Sequence, residues 1–289
     1  MIWPLFRALR PTQWVKNVFV LAPVVFAEQL TDPTVMIQAA LAFLAFCCAA
    51  SAIYLVNDLG DREEDRLHPL KKHRPIASGA LSVGVAWGAA VVLALVGLGL
   101  SIYLGTAFTV LLAIYLGINL AYSNGLKKIV ILDVMAVSSG YVIRVMAGGE
   151  AIQVEVSNWL LLCTTFLALF LIFSKRRHEL VLLANEASGH RSVLSHYSEV
   201  FLDQMINVVT ASTVIAYALY AVDSETIARF GSDRLIYTIP LVLFGIFRYL
   251  YLIYQRTDQR NPTEALLFDL PFMLNVMLWG IVVLWIVYA

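Results

Sequence analysis

Long apolar runs dominate the chain, and short clusters of polar and charged residues separate them. A membrane-spanning helix needs roughly 20 mostly apolar residues. The pattern predicts nine spanning segments, with approximate bounds 14–30, 35–57, 82–104, 106–122, 131–148, 157–174, 203–222, 235–254 and 269–288. We therefore expect an all-α, polytopic membrane protein in which one domain covers residues 1–289.

The composition agrees with a chain that is embedded in lipid. Hydrophobic residues make up 60% of it, charged residues only 14%, and the mean hydropathy is +0.79. A soluble domain carries about 25% charged residues, so a soluble protein of this composition would expose much apolar surface. We expect no nucleic-acid partner, and the sequence leaves the oligomeric state open.

The basic residues are distributed unevenly along the chain. Sixteen of the 20 Lys and Arg residues fall in the N-terminal arm and in the loops after the second, fourth, sixth and eighth predicted spans. Cytoplasmic loops carry the excess of basic residues in membrane proteins, so this side is predicted to be cytoplasmic, together with the N-terminus. The long charged segments 58–81 and 175–202 lie on it. We expect the chemistry there, in a protein of the cytoplasmic (inner) membrane.

Four polar residues follow one another at helical spacing where the second predicted span ends: Asn57, Asp58, Asp61 and Asp65. If the helix continues, their side chains share one face. Carboxylates crowded near a membrane boundary repel one another, and Mg²⁺ resolves this because it takes carboxylate oxygens and completes its shell with water and substrate phosphate. The alternative is a solvated loop whose acids pair with its own bases.

Three basic residues come directly after these carboxylates: Lys71, Lys72 and Arg74. A metal-bound diphosphate has further oxygens that Lys and Arg neutralise. The combination therefore favours a site for Mg²⁺ and a diphosphate over a plain charged loop.

The spacing Asn57-Asp58-x-x-Asp61-x-x-x-Asp65 resembles the first aspartate-rich motif of the UbiA superfamily of intramembrane prenyltransferases. The resemblance implies that Asn57 and the three aspartates hold Mg²⁺ and that the aspartates act in catalysis on a diphosphate. It also implies an all-helical bundle around a central cavity that opens to the cytoplasm.

A narrower resemblance extends over four stretches, 10–17, 65–79, 122–127 and 133–144, which are similar to the decaprenyl-phosphate phosphoribosyltransferase branch. This branch transfers 5-phosphoribose from phosphoribosyl diphosphate to a polyprenyl phosphate, and its product supplies arabinan-type precursors for the cell envelope. Two alternatives stay open. One is a prenyltransferase that joins a prenyl diphosphate to an aromatic acceptor, and the other is a transporter without enzymatic activity.

The segment after the sixth predicted span lacks the second aspartate motif that aromatic prenyltransferases of the superfamily usually show. It carries Lys175, Arg176 and Glu179 instead, and a basic loop suits direct contact with the phosphates of two phosphorylated substrates.

The remaining substrate-binding candidates are polar residues in or next to apolar spans. Lys16 has an alternative role as an interfacial lysine, Arg144 as half of a structural ion pair, and Tyr122 and Lys127 as interface anchors. Asn17 is a candidate because it adjoins Lys16.

Overall fold

A computed structural model describes residues 2–68, 71–184, 196–255 and 268–288 of the protein. Within these ranges the regular structure is helical throughout, which agrees with the predicted all-α class. Twelve α-helices are described: α1 (Ile2–Ala8), α2 (Ala22–Phe26), α3 (Pro33–Gly60), α4 (Arg62–Leu67), α5 (Val83–Leu104), α6 (Thr106–Asn124), α7 (Leu132–Ala151), α8 (Asn158–Ala184), α9 (Glu199–Val222), α10 (Ser224–Phe230), α11 (Ile239–Gln255) and α12 (Leu270–Tyr288). Four 3₁₀ helices join them: Pro11–Leu21, Lys71–His73, Leu126–Lys128 and Arg234–Thr238.

Seven helices in the described ranges are long and apolar enough to cross a membrane, so the predicted count of nine is not reached. The predicted fifth span is present as α7, but it does not meet this criterion of apolarity. The predicted first span at 14–30 is not one α-helix. The 3₁₀ helix Pro11–Leu21 ends with an i→i−3 hydrogen bond from the Ala22 N–H to the Phe19 carbonyl. The short α2 then follows with Pro23 in its first turn, where the missing N–H of proline costs no helical hydrogen bond.

Polar caps fix where several of the spanning helices begin. The side chain of Asp32 accepts hydrogen bonds from the N–H groups of Thr34 and Val35 at the start of α3, where Pro33 occupies the first turn. Ser198 caps α9 in the same way. Such side chains satisfy N–H groups that have no partner within the helix, and they are typical of helix N-termini.

The chain divides into two compact units. The first comprises Met1–Ile129 and Ser139–Val156, and the second comprises Val130–Ser138 and Ser157–Ala289. Helix α7 contributes its first turns to the second unit and the remainder to the first. The single domain and the central cavity predicted from the sequence stay predictions.

The core of the first unit joins the 3₁₀ helix Pro11–Leu21 to helices α3, α6 and α7. Val20, Phe46 and Phe108 are fully buried in this core. Close approach depends on Gly148, because a Cβ there would lie 2.0 Å from the carbonyl oxygen of Val20. A glycine at this position lets two backbones touch, which tightens the packing of the first unit.

Candidate active site

The polar motif lies where α3 ends and α4 begins, and its helical register continues across the junction. The N–H of Asp61 bonds the Asn57 carbonyl at 2.9 Å, and the N–H of Asp65 bonds the Asp61 carbonyl at 2.8 Å. Both bonds have the i→i−4 spacing of an α-helix. Asp58 and Asp65, seven residues apart, therefore return to the same face, as the sequence predicts.

A tight turn after α4 brings Arg74 to this face. The Ser78 N–H bonds the Arg74 carbonyl, and Gly79 adopts φ +79°, a left-handed conformation that favours glycine. Ile76 in the turn is buried against Leu55 of α3. Apolar packing thus anchors the turn and holds the guanidinium next to the motif.

Two buried carboxylates and two arginines form the centre of the site. Asp58 and Asp65 are 3% and 2% exposed. Nη1 of Arg74 donates to Asp58 Oδ1 at 3.1 Å and to Asp65 Oδ2 at 2.7 Å, so one nitrogen lies between the two carboxylates. Nη2 of Arg10 donates to the same Asp58 oxygen at 2.5 Å. Desolvated carboxylates need such compensation.

The third aspartate takes a different partner. The Asp61 side chain is 38% exposed, and its Oδ1 lies 3.7 Å from Nζ of Lys127. Asn57 also contacts the end of α6, because its Oδ1 accepts a hydrogen bond from Ser123 at 2.7 Å. The motif is therefore tied both to the turn after α4 and to the segment after α6.

The other basic candidates of the first unit lie at different distances from this centre. Nζ of Lys71 is 4.0 Å from Asp65 Oδ1. Lys72 is exposed in the same 3₁₀ helix, while Lys16 and Tyr122 are partly buried in the helices that carry them. The ion pair with Asp65 joins Lys71 directly to the motif.

Arg144 occupies a buried polar cluster within the first unit. Its Nε donates to Asn17 Oδ1 at 2.8 Å, its Nη1 to the Gly140 carbonyl at 2.7 Å and its Nη2 to the Tyr115 hydroxyl at 3.0 Å. Asn17 in turn donates to Cys47 Sγ. In the described part of the chain Arg144 forms no salt bridge, which does not support the structural ion pair considered from the sequence. Neutral oxygens and the ring of Tyr115 stabilise this cation instead.

A second buried network lies wholly within the second unit. Asp133, fully buried, accepts from Nε of Arg176 at 2.7 Å and from the Tyr197 hydroxyl at 2.7 Å. Arg176 also donates to Glu179 at 2.7 Å, and Lys175 lies 3.8 Å from the other oxygen of Glu179. The three residues predicted to bind phosphate are thus brought together, and Arg176 is held by two carboxylates.

Tyr197, two residues before the start of α9, completes this network. Its hydroxyl accepts the N–H of Ile131 at 2.7 Å while it donates to Asp133. Burial, and secondarily the hydrogen bond to Asp133, raises the pKa of Tyr197 above its ordinary value. The hydroxyl therefore stays protonated at neutral pH and remains a donor.

The donor set at the first unit suits a hard divalent cation. Arg74 Nη1 touches oxygens of Asp58 and Asp65 at once, so a cation at that place meets two buried carboxylates, and Asp61 and Asn57 follow in the same helical register. Carboxylate and amide oxygens are the ligands that Mg²⁺ prefers. Among the described residues, however, no three or more His, Cys, Asp or Glu side chains lie close enough together to hold a metal ion, so the two buried carboxylates would need further ligands.

Arg10, Ser123, Asp133 and Tyr197 are part of these clusters, although the motif analysis did not select them as site residues. Arg10 and Ser123 contact the motif from 48 and 66 residues away, Asp133 contacts Arg176, and Tyr197 joins the second network through Asp133. Arg10 lies in the stretch 10–17 that carries the narrower resemblance, but its position along the chain does not reveal the contact with Asp58.

The fold and the motif define a multi-pass membrane protein of the UbiA prenyltransferase family, to which this chain belongs. The family profile matches residues 17–276. The chain has the same fold as a UbiA homolog from Archaeoglobus fulgidus, whose structure was solved bound to GPP and Mg²⁺, with a TM-score of 0.72, 20% identity, and coverage of 99% of this chain and 97% of the other.

Among individual proteins, the chain is similar to decaprenyl-phosphate phosphoribosyltransferases. It is 37% identical to the protein of that name from Corynebacterium glutamicum, over 98% of this chain and 86% of the relative. It is 36% identical to the one from Mycobacterium tuberculosis, over 84% of this chain and 81% of the relative. Both resemblances predicted from the motifs are thereby confirmed.

Proposed function

We propose that the chain transfers 5-phosphoribose from 5-phosphoribosyl 1-diphosphate to a polyprenyl phosphate and releases diphosphate. The observation that carries the proposal is the 37% identity, over nearly the whole chain, to a decaprenyl-phosphate phosphoribosyltransferase. The buried pair Asp58 and Asp65 with Arg74 supports it, since such a cluster fits a diphosphate with its metal. We also propose a location in the cytoplasmic membrane with the N-terminus inside, a cavity open to that side, and a role in arabinan-type precursor synthesis.

In this proposal Asn57, Asp58, Asp61 and Asp65 hold Mg²⁺, which when bound supplies positive charge for the departing diphosphate. Arg74, Lys71 and Lys72 neutralise the remaining diphosphate oxygens. An oxygen of the lipid phosphate forms the new bond to C1 of the ribose as the bond from C1 to the diphosphate oxygen breaks, and the diphosphate leaves with the electron pair. The lipid phosphate is already an anion, so the site must position it rather than deprotonate it.

The remaining candidates are proposed as contacts for phosphate groups rather than as chemical catalysts. Arg144, Lys16, Asn17 and Tyr122 belong to the first unit, together with Lys127 beside Asp61. Lys175, Arg176 and Glu179 belong to the second. Arg176 donates to two carboxylates, and Lys175 lies 3.8 Å from the other oxygen of Glu179.

The test uses purified protein in detergent with Mg²⁺, a polyprenyl phosphate and phosphoribosyl diphosphate labelled in the ribose. We expect label in the organic phase, and loss of that transfer when EDTA is added. If no label moves while a prenyl diphosphate is consumed with an aromatic acceptor, the chain is instead a prenyltransferase, the activity for which its family is named.

Asp61→Asn separates chemistry from folding at this site. The Asp61 side chain is partly exposed and its ion pair with Lys127 is 3.7 Å long, so the folding cost is at most about 1 kcal/mol. Turnover should fall about 100-fold or more, the scale of losing a preorganised electrostatic contact. Glu64→Gln is the matched control, because Glu64 is exposed on α4. Activity of Asp61→Asn near that of the control would contradict the metal assignment.

A further inference from the structure

Arg10, one of the two arginines at the centre of the site, has an unusual backbone conformation. Arg10 adopts φ 54° and ψ 60°, the left-handed region, directly before Pro11. Residues before proline favour extended conformations, and non-glycine residues seldom adopt the left-handed one. This backbone state directs the guanidinium over the Tyr54 ring, 4.9 Å from its centroid, and onto Asp58.

Arg10 and Arg74 occupy the oxygens that a metal ion needs. Both donate to Oδ1 of Asp58, and Arg74 reaches Asp65 as well. Around the motif, the three aspartates meet four cationic side chains, since Lys71 and Lys127 also lie within 4.0 Å of a carboxylate. These ion pairs neutralise the carboxylates, and a metal ion that binds them must replace the guanidinium groups.

We propose that Arg10 and Arg74 exchange partners when the substrate binds, which couples the binding of Mg²⁺ to that of the diphosphate. This inference rests on the proposed function. In the ligand-free enzyme the arginines hold Asp58 and Asp65, and they move to diphosphate oxygens when Mg²⁺ takes the carboxylates.

The coupling follows from the charges. Mg²⁺ alone displaces two partly buried guanidinium groups from their carboxylates and leaves them without an anion. Diphosphate alone meets arginines that are already paired, beside buried negative charge. When both arrive together, every charge has an opposite partner, and leaving a buried charge unpaired is the costly alternative.

By linkage, each ligand tightens the other by the same factor, and allosteric factors of about 5- to 150-fold are typical. Arg10 is thus a further diphosphate-binding residue, and in the free enzyme it also keeps the metal site closed.

The experiment titrates Mn²⁺, as a paramagnetic substitute for Mg²⁺, into the purified full-length protein in detergent and measures bound metal by electron paramagnetic resonance. It compares the wild type with Arg10→Gln and Arg74→Gln. Arg7→Gln is the matched control, because Arg7 is an exposed arginine on α1, three residues before Arg10. Binding of inorganic diphosphate with Mg²⁺ is measured separately by calorimetry.

We expect wild type and Arg7→Gln to bind Mn²⁺ alone weakly. Arg10→Gln and Arg74→Gln should each bind Mn²⁺ alone at least about fivefold more tightly, and diphosphate with Mg²⁺ at least about fivefold more weakly, the lower end of typical coupling. These opposite shifts distinguish partner exchange from a structural role, because a damaged fold weakens both ligands. Arg74→Gln keeps the test decisive if Arg10→Gln does not fold.

Two outcomes overturn the inference. One is wild-type protein that binds Mn²⁺ alone as tightly as with diphosphate, and the other is arginine variants that gain no affinity for metal alone. If the wild type binds neither metal nor diphosphate in any combination, the proposed function itself fails at this site.

Discussion

Tyr197→Phe is the most informative single change in the second unit, because it removes one oxygen and keeps the ring. That oxygen donates to Asp133 and accepts from the N–H of Ile131, both at 2.7 Å. Ile131 is a β-branched residue at φ 70°, which is a strained backbone state. The hydroxyl therefore anchors a strained turn to a buried carboxylate.

The expected cost follows from the two groups that lose their partner. A buried donor or acceptor left unsatisfied costs about 1–3 kcal/mol. Asp133 keeps the hydrogen bond from Arg176, and Ile131 relaxes part of its strain, so we expect about 2–4 kcal/mol in total. For a large chain, each kcal/mol shifts the unfolding midpoint by about 2–4 °C, so the expected fall is roughly 4–16 °C.

Thermal unfolding in detergent measures this shift, and Tyr237→Phe is the control because Tyr237 is 73% exposed. The control should leave the midpoint within about 1 °C of wild type, as most exposed substitutions do. If Tyr197→Phe matches the control, the hydroxyl does not stabilise the second unit and the reasoning from its two hydrogen bonds is wrong.

The pH dependence gives a second check on the same residue. Burial raises the pKa of Tyr197 in the folded protein above its unfolded value, which is about 10. A group whose pKa is raised on folding stabilises fully below the unfolded pKa and loses that contribution as pH rises through the folded pKa. The difference in the free energy of unfolding between wild type and Tyr197→Phe should therefore be constant from about pH 6 to 9. It should shrink above about pH 10.

Two further changes test the packing of the first unit by the same thermal assay. Gly148→Ala places a Cβ 2.0 Å from the Val20 carbonyl oxygen and should cost about 3 kcal/mol or more by overpacking. The control is Gly99→Ala, whose Cβ meets nothing within 4 Å, and it should be neutral or slightly stabilising. Equal unfolding midpoints for the two variants would contradict the close approach. Asn17→Ala leaves Nε of Arg144 without its acceptor and should cost about 1.5–3 kcal/mol, and an unchanged midpoint would show that Arg144 does not depend on this contact.

The apolar pattern predicts where the spanning helices lie, but it does not predict their ends equally well. The segment predicted at 82–104 is α5, and the Gly105 break before α6 is present with φ 120°. Helix α8, by contrast, continues ten residues past its predicted end at residue 174. The apolar run stops there, whereas the helix persists because Lys175, Arg176 and Glu179 pair at i, i+3 and i, i+4.

The sequence also indicates which residue types form the site, although it cannot indicate how their charges are distributed. Helical spacing places Asp58, Asp61 and Asp65 in one register, and the structure keeps that register. Nothing in the spacing distinguishes Asp61, which is partly exposed and pairs with Lys127, from its two buried neighbours. That distinction depends on which cations, distant in sequence, the tertiary fold brings close to each aspartate. The electrostatic interaction within an ion pair is weak in water and strong where water is excluded, so the pairing matters most for the two buried aspartates.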